Sequence, residues 1–228
     1  MSGPYKSIPR CHFCQNPPPQ GGFFYALIHF TARKNYGILN ELLNSQQYAA
    51  LPHAHKGVTA MIRIVTDSAA DLTAAELNVP GIFVVPLSVT FADGTTQLDD
   101  GTMTKDEFFV RLAEDSKLPR TSQPSPASFM QVYEDAAAAG DEVLVITIGQ
   151  KLSGTYQCAH LAAADVGLQV HIVDSEAASQ AEALLVREAV RLRDEEGLTA
   201  EEIAAVLEQF KKRVRIVAVV DSLKHLQK

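Results

Sequence analysis

Short hydrophobic runs alternate with amphipathic segments from Met61 to the end of the chain. Five such runs of seven to nine residues lie at 61–68, 82–89, 142–148, 169–175 and 214–222, and the first and the last two of them end in small polar side chains. Continuous apolar runs of this length are typical of strands that are buried on both faces of a parallel sheet. The second run contains Pro86, which indicates an edge position or a bulge because proline has no backbone N–H to donate.

The segments between these runs have helical patterns, at 104–115, 125–140, 153–167, 177–196 and 199–213. Thr104 and Glu107 form the sequence signature of a capping box. Ser125 followed by Pro126 predicts a helix start, and Gly140 and Gly167 predict helix ends. Strands that alternate with helices predict an α/β fold with a mostly parallel sheet and helices on both of its faces.

The charge distribution divides the chain at about residue 60. Residues 1–60 contain five bases and one acid, a net charge of +4, whereas residues 61–228 contain 15 bases and 26 acids, a net charge of −11. The first part also has no sustained periodicity. We therefore expect residues 1–60 to be an extension that is disordered or poorly packed, and residues 61–228 to form the α/β domain.

A single Cys-x-x-C pair in the extension raises the question of zinc. Cys11 and Cys14 form this pair, and His29, His53 and His55 are the histidines that would have to complete a site. One such pair without a second at matching distance is a weak signal. We expect no metal site.

The overall composition excludes several classes of protein. A net charge of −7 argues against sequence-independent nucleic-acid binding. No apolar run approaches the roughly 18 residues of a transmembrane helix. The chain has three cysteines, and an odd number argues against a disulfide framework. The N-terminus also lacks the pattern of a secretory signal. We therefore expect a cytoplasmic protein without a transmembrane segment.

Two hydroxyl-rich stretches, KLSGTYQ (151–157) and TSQPSP (121–126), each precede a predicted helix. The first places the Ser153 hydroxyl and the amides of Gly154 and Thr155 at the positive end of a helix, which suits a carboxylate or a phosphate. It matches neither a P-loop nor a nucleophile elbow. A helix start of this kind is also an ordinary cap, and both interpretations stay open.

No general base accompanies these hydroxyls. Each histidine has an ordinary place: His160 lies within a predicted helix, His171 lies within a predicted strand and His225 lies near the C-terminus. Cys158 fits a small buried position in the same helix as His160. Hydroxyls without a base indicate binding rather than bond-making, so we expect a protein that is not an enzyme. The alternative is an α/β enzyme module that handles phosphates or nucleotides.

Three predicted strands end in the same dipeptide, Asp-Ser, at 67–68, 174–175 and 221–222. These side chains either cap the segments that follow or line a crevice at the carboxyl ends of the strands. The sequence does not decide between the two.

The order VTDSAADL, VVPLSV, TSQPSP, GDEVLVITI, LSGTYQ and VDS, from Met61 to the end of the chain, resembles the DegV family of bacterial fatty-acid-binding proteins. The resemblance implies that Thr121 and Ser153 bind the carboxylate of a long-chain, palmitate-like fatty acid. Ser122 and Gly154 belong to the same two head-group loops. The bound fatty acid is the implied ligand, and no cofactor is implied.

The resemblance further implies a carrier that presents the acid to a fatty acid kinase. It also implies two domains with the acyl chain between them, whereas this sequence stops at DSLKHLQK. We therefore expect a truncated chain, with the second domain largely missing and possible self-association through the exposed face. Two further departures are residues 1–60, which have no family counterpart, and Gly149-Gln150, which replaces a common pair of serines.

Overall fold

The computed structural model describes residues 60–115 and 117–216 of the chain. These residues contain seven strands: β1 Ile62–Asp67, β2 Ile82–Val85, β3 Ser88–Thr90, β4 Thr96–Leu98, β5 Arg120–Ser122, β6 Glu142–Thr147 and β7 Val170–Asp174. They also contain six α-helices: α1 Ala74–Leu77, α2 Lys105–Glu114, α3 Pro126–Ala139, α4 Thr155–Asp165, α5 Gln180–Glu196 and α6 Ala200–Phe210. Among these residues, no helix has both the length and the hydropathy that crossing a membrane requires.

The main sheet is parallel, with the strand order β2-β1-β6-β7. Successive residues of its central strands enter two different hydrophobic clusters, because side chains alternate between the faces of a sheet. Leu144 and Ile146 of β6 pack with α5 and α6, whereas Val143 and Val145 pack with α3 and α4. The predicted α/β architecture, with helices on both faces of a parallel sheet, is therefore confirmed.

A second sheet is small and antiparallel, with the order β4-β3-β5. The hydrophobic run at 82–89 was expected to form one strand, but it divides between the two sheets. β2 ends at Val85, Pro86 cannot donate to a strand ladder, and β3 starts at Ser88 in the small sheet. Pro86 therefore marks a change of sheet, and β2, which precedes it, is an edge strand of the main sheet, as expected.

Capping side chains fix the ends of several helices as predicted. Thr104 and Glu107 form the expected capping box at α2. The Ser125 hydroxyl caps α3, which starts at Pro126 and ends at Ala139, with Gly140 as its C-cap in the left-handed region at φ 72°.

Two predicted boundaries in the C-terminal half are wrong. Helix α4 begins after Gly154 and ends at Asp165 with Val166 as its cap, so Gly167 does not close it. Residues 214–216 form no strand, and the rest of the predicted last strand, including Asp221-Ser222, lies outside the described residues. The whole of the 1–59 segment, with its cysteines and histidines, lies outside them as well.

The strand order produces a topological switch point between β1 and β6. From β1 the chain moves outward to β2, and from β6 it moves outward in the opposite direction to β7. In open α/β sheets, ligands bind in the crevice beyond the carboxyl ends of the strands at such a point. In this chain, that position corresponds to the segments that follow Asp67 and Thr147.

Candidate functional site

An open cavity of about 500 Å³ lies at the carboxyl end of β6, against the small sheet. Eight residues line it: Leu87, Thr121, Ser122, Gln123, Ile148, Leu152, Ser153 and Gly154. The four residues that the sequence singled out for a ligand head group are therefore brought together in one place. The volume lies within the range of roughly 300–1,000 Å³ that small-molecule sites occupy.

The loop that follows β6 is fixed by carboxylates from both neighbouring strands. The backbone N–H of Ile148 donates to Asp67 Oδ2 at 2.8 Å, and that of Gln150 donates to Asp174 Oδ1 at 3.0 Å. Between them, the Gly149 N–H donates to the carbonyl of Ala177 at 2.7 Å. The loop that carries Ser153 is thus tied to β1, to β7 and to the segment after β7.

Gly149 lies where this loop comes close to the backbone of its neighbour. A β-carbon at Gly149 would lie 3.1 Å from the backbone N of Ala177 and 3.1 Å from the backbone C of Glu176. Backbone atoms cannot rotate away as a flexible side chain can. The glycine of the Gly149-Gln150 pair therefore has a structural reason in this chain, whereas nothing among the described contacts explains the side chain of Gln150.

The Asp-Ser ends of the strands position the cavity walls. Asp67 accepts from the Ala69 N–H at 3.0 Å as well as from Ile148, and the Ser68 hydroxyl accepts from the Leu87 N–H at 3.1 Å. Leu87 and Ile148 both line the cavity. Asp67 thus caps the turn that follows β1 and also joins that turn to the loop after β6. The third Asp-Ser pair, at 221–222, lies outside the described residues.

The start of α4 provides hydroxyls and a helix N-terminus to the cavity. Gly154 is the N-cap residue, and no side chain caps the helix there. The Ser153 hydroxyl lies 2.9 Å from the Thr155 hydroxyl and accepts from the Thr155 N–H at 3.3 Å. The positive end of α4 therefore faces a site that contains hydroxyl groups, which suits an anion.

Thr121 and Ser122 reach the cavity from the small sheet. They lie on β5, where Thr121 is opposite Val89 and Ser122 is opposite Ser88 of β3. The other hydroxyls of the same stretch have a different role, since Ser125 caps α3 and bonds to Ser128. The TSQPSP stretch therefore joins a site-lining strand to a helix cap.

Gln123 was not predicted as a site residue, and it occupies the space in front of Gly154. A β-carbon at Gly154 would lie 2.7 Å from Gln123 Nε2, so the absence of a side chain at Gly154 makes room for the amide of Gln123. Gln123 Nε2 donates to Cys158 Sγ at 3.2 Å. Its place between Ser122 and Pro124 in the hydroxyl-rich stretch was the available sequence signal.

Two carboxyl groups near the end of β1 are buried, and burial raises the pKa of both. Asp67 is fully buried, which raises its pKa from 3.8 to about 6 against the opposing effect of its two backbone hydrogen bonds. Glu182 of α5 is fully buried too, and desolvation followed by repulsion from Asp67 raises its pKa from 4.5 to about 10. Glu182 Oε1 accepts from the Thr66 hydroxyl at 3.1 Å. At neutral pH, Glu182 is therefore a neutral, structural acid.

The remaining candidates of the sequence lie apart from the cavity lining. His160 is exposed on α4 with its ring edge against Tyr156, and His171 lies within β7. Cys158 is a free, buried thiol, as predicted. Within residues 60–115 and 117–216, no three His, Cys, Asp or Glu side chains are grouped as metal ligands. His225 lies outside these ranges.

Residues 61–228 match the family model described as "Uncharacterised protein, DegV family". A DegV domain-containing protein of Caldanaerobacter subterraneus is 37% identical over 166 residues, which are 72% of this chain and 58% of that protein. A DegV domain-containing protein of Listeria innocua is 35% identical over 167 residues, 73% of this chain and 60% of the relative. The chain thus spans somewhat more than half the length of these relatives.

Solved structures share the same fold. A DegV family protein of Thermus thermophilus, described with fatty acid binding, has a TM-score of 0.61 and 39% identity over 67% of this chain and 54% of its own. A Thermotoga maritima protein described as revealing a fatty acid binding function has a TM-score of 0.61 and 35% identity over 67% of this chain and 56% of its own. A stearic acid-binding protein of Eubacterium ventriosum has a TM-score of 0.59 and 34% identity over 65% of this chain and 52% of its own.

Proposed function

This chain belongs to the DegV family, and from that membership we propose that it binds a long-chain fatty acid and holds the carboxylate through Thr121 and Ser153. Ser122 and Gly154 complete the proposed head-group site. The observation that carries the proposal is the single cavity lining shared by these four residues at the topological switch point. Related structures described with bound fatty acids support the choice of ligand.

The chemistry of the cavity suits a carboxylate with an apolar tail. Hydroxyl donors and the N-terminus of α4 offset the cost of removing a carboxylate from water. Leu87, Ile148 and Leu152 supply apolar surface beside them. Arg120 and Lys151 adjoin lining residues in sequence but do not belong to the lining. Hydroxyls, backbone amides and the helix dipole therefore supply recognition of the head group.

The tail supplies most of the affinity, and the head group supplies the selectivity. Burial of an acyl chain contributes about 0.8 kcal/mol per methylene, or about 11 kcal/mol gross for some fourteen methylenes of palmitate. Association and ordering of the tail consume several kcal/mol of this free energy. A hydrogen bond to a charged group contributes about 1.5–3 kcal/mol, so each hydroxyl affects affinity measurably.

We propose that the protein is a carrier rather than an enzyme, acting in the cytoplasm and presenting the acid to a fatty acid kinase. The hydroxyl of Ser153 has the hydroxyl and amide of Thr155 as its partners, which does not activate it as a nucleophile. The open cavity supports presentation, because a head group near its mouth stays accessible to a second protein.

Isothermal titration with palmitate tests the proposed site. Thr121→Ala and Ser153→Ala should each weaken binding by about 1–3 kcal/mol, because each removes a donor to a charged group. The double variant should lose less than the sum of the two, since both hydroxyls bind one carboxylate.

Thr96→Ala is the matched control. Thr96 lies in the same small sheet and bonds to the Thr90 hydroxyl outside the cavity, so this variant should bind palmitate as the wild type does. Unchanged affinity in both single site variants would remove Thr121 and Ser153 from the site and leave Ser153 as a turn residue only.

A further inference from the structure

The side-chain amide of Gln123 lies across the first turn of α4, inside the proposed head-group site. Gln123 lines the cavity and is packed against Gly154, while its Nε2 lies 3.2 Å from Sγ of Cys158, one turn further along the helix. A primary amide nitrogen carries two N–H groups. One donates to Cys158, and within residues 60–115 and 117–216 no hydrogen bond engages the other.

We propose that Gln123 is a specificity-determining residue that donates its second N–H to the ligand carboxylate. This inference rests on the proposed fatty-acid function and adds a third side chain to Thr121 and Ser153. A carboxylate accepts hydrogen bonds through both oxygens, whereas an alcohol head group offers one oxygen that also carries a proton. An amide donor at the positive end of α4 therefore favours the carboxylate over a neutral head group of equal tail length.

Cys158 acts as a positioning residue for this amide. Its thiol is buried, and a sulfur atom is a weak acceptor that neither competes with the ligand nor attracts it. The hydrogen bond to Sγ fixes the Nε2 end of the amide near the helix rather than in solvent. Replacement by serine keeps an acceptor at this place, whereas replacement by alanine removes it.

The test measures equilibrium binding of radiolabelled palmitate and 1-hexadecanol, and the readout is the ratio of the two affinities. Gln123→Glu is nearly isosteric but replaces the donor by an anion, so the ratio should fall about tenfold or more, because a hydrogen bond to a charge is lost and repulsion is added. Gln123→Ala should lower the ratio less. Cys158→Ala should also lower it, and Cys158→Ser should restore it.

Gln157→Glu is the matched control. Gln157 is exposed on α4 and does not line the cavity. Gln157→Glu makes the same chemical change as Gln123→Glu, so the affinity ratio of this variant should equal that of the wild type. If Thr121→Ala lowers the ratio but Gln123→Glu does not, Gln123 is not a ligand and the proposed function stands. If the wild type binds no palmitate, or binds it no better than hexadecanol, the proposed function fails and this inference fails with it.

Discussion

Replacement of Glu182 by glutamine should remove a specific part of the dependence of stability on pH. Glu182 is fully buried beneath the β1 end of the sheet, where its Oε1 accepts from Thr66 and its Oε2 has no hydrogen-bond partner among the described residues. Its pKa is raised to about 10, first by desolvation and then by repulsion from Asp67. The folded protein therefore keeps a proton that the unfolded chain loses.

The sign and size of the effect follow from proton linkage. Between pH 4.5 and about 10 the unfolded state binds fewer protons at this position than the folded state, so the free energy of unfolding falls as pH rises. The limiting slope is about 1.4 kcal/mol per pH unit. The pKa of Asp67 is raised to about 6, so above pH 6.5 its contribution to the slope has mostly ended. From pH 6.5 to 9 the Glu182 contribution approaches about 3 kcal/mol.

Urea denaturation at several pH values between 6.5 and 9 measures this contribution. The free energy of unfolding of the wild type should fall with pH relative to that of Glu182→Gln. Glu195→Gln, which changes an exposed carboxyl group of the same helix, is the control and should follow the wild-type curve. If the free energies of unfolding of the wild type and Glu182→Gln changed with pH in parallel, a buried, protonated Glu182 would be refuted.

Three further predictions concern the loops and the extension. Gly149→Ala should lower stability by about 1–3 kcal/mol in thermal denaturation, since its β-carbon would press on backbone atoms, whereas Gly167→Ala, with no atom nearby, should not. Asp67→Asn leaves one of two backbone N–H donors without an acceptor, so hydrogen exchange should become faster at Ile148 or at Ala69; unchanged exchange at both would contradict the bridge. A chain that starts at Met61 should keep its melting temperature within a few degrees, and a loss of several kcal/mol would mean that residues 1–60 pack on the domain.

The repeated hydrophobic pattern predicted the main sheet because each central strand is buried on both faces. Five of the seven residues at 142–148 are apolar, and the structure divides the side chains of residues 143–146 between two helical layers. The division of the 82–89 run was not predicted, because the second sheet depends on pairing with Arg120–Ser122, far away in sequence. Helix ends set by side-chain caps were predicted, whereas the end of α4 has no such signal.

The sequence predicted the hydroxyl groups of the candidate site, but not the hydrogen bonds and contacts that hold its loops in place. Thr121 and Ser153 belong to recognisable stretches, so the sequence identified them before the cavity was known. The link between Asp67 and Ile148 spans 81 positions and became visible only with the strand order. Gln123 carries no charge and no motif of its own, and its packing on Gly154 is a tertiary contact.

A crystal structure of the chain with palmitate bound would show directly whether Thr121 and Ser153 hold the carboxylate. We expect the carboxylate in the cavity at the carboxyl end of β6, with its oxygens about 2.5–3.0 Å from the hydroxyl oxygens of Thr121 and Ser153. We also expect the tail to contact Leu87 and Leu152. A carboxylate bound elsewhere, with the Ser153 hydroxyl still paired only to Thr155, would contradict the proposed site.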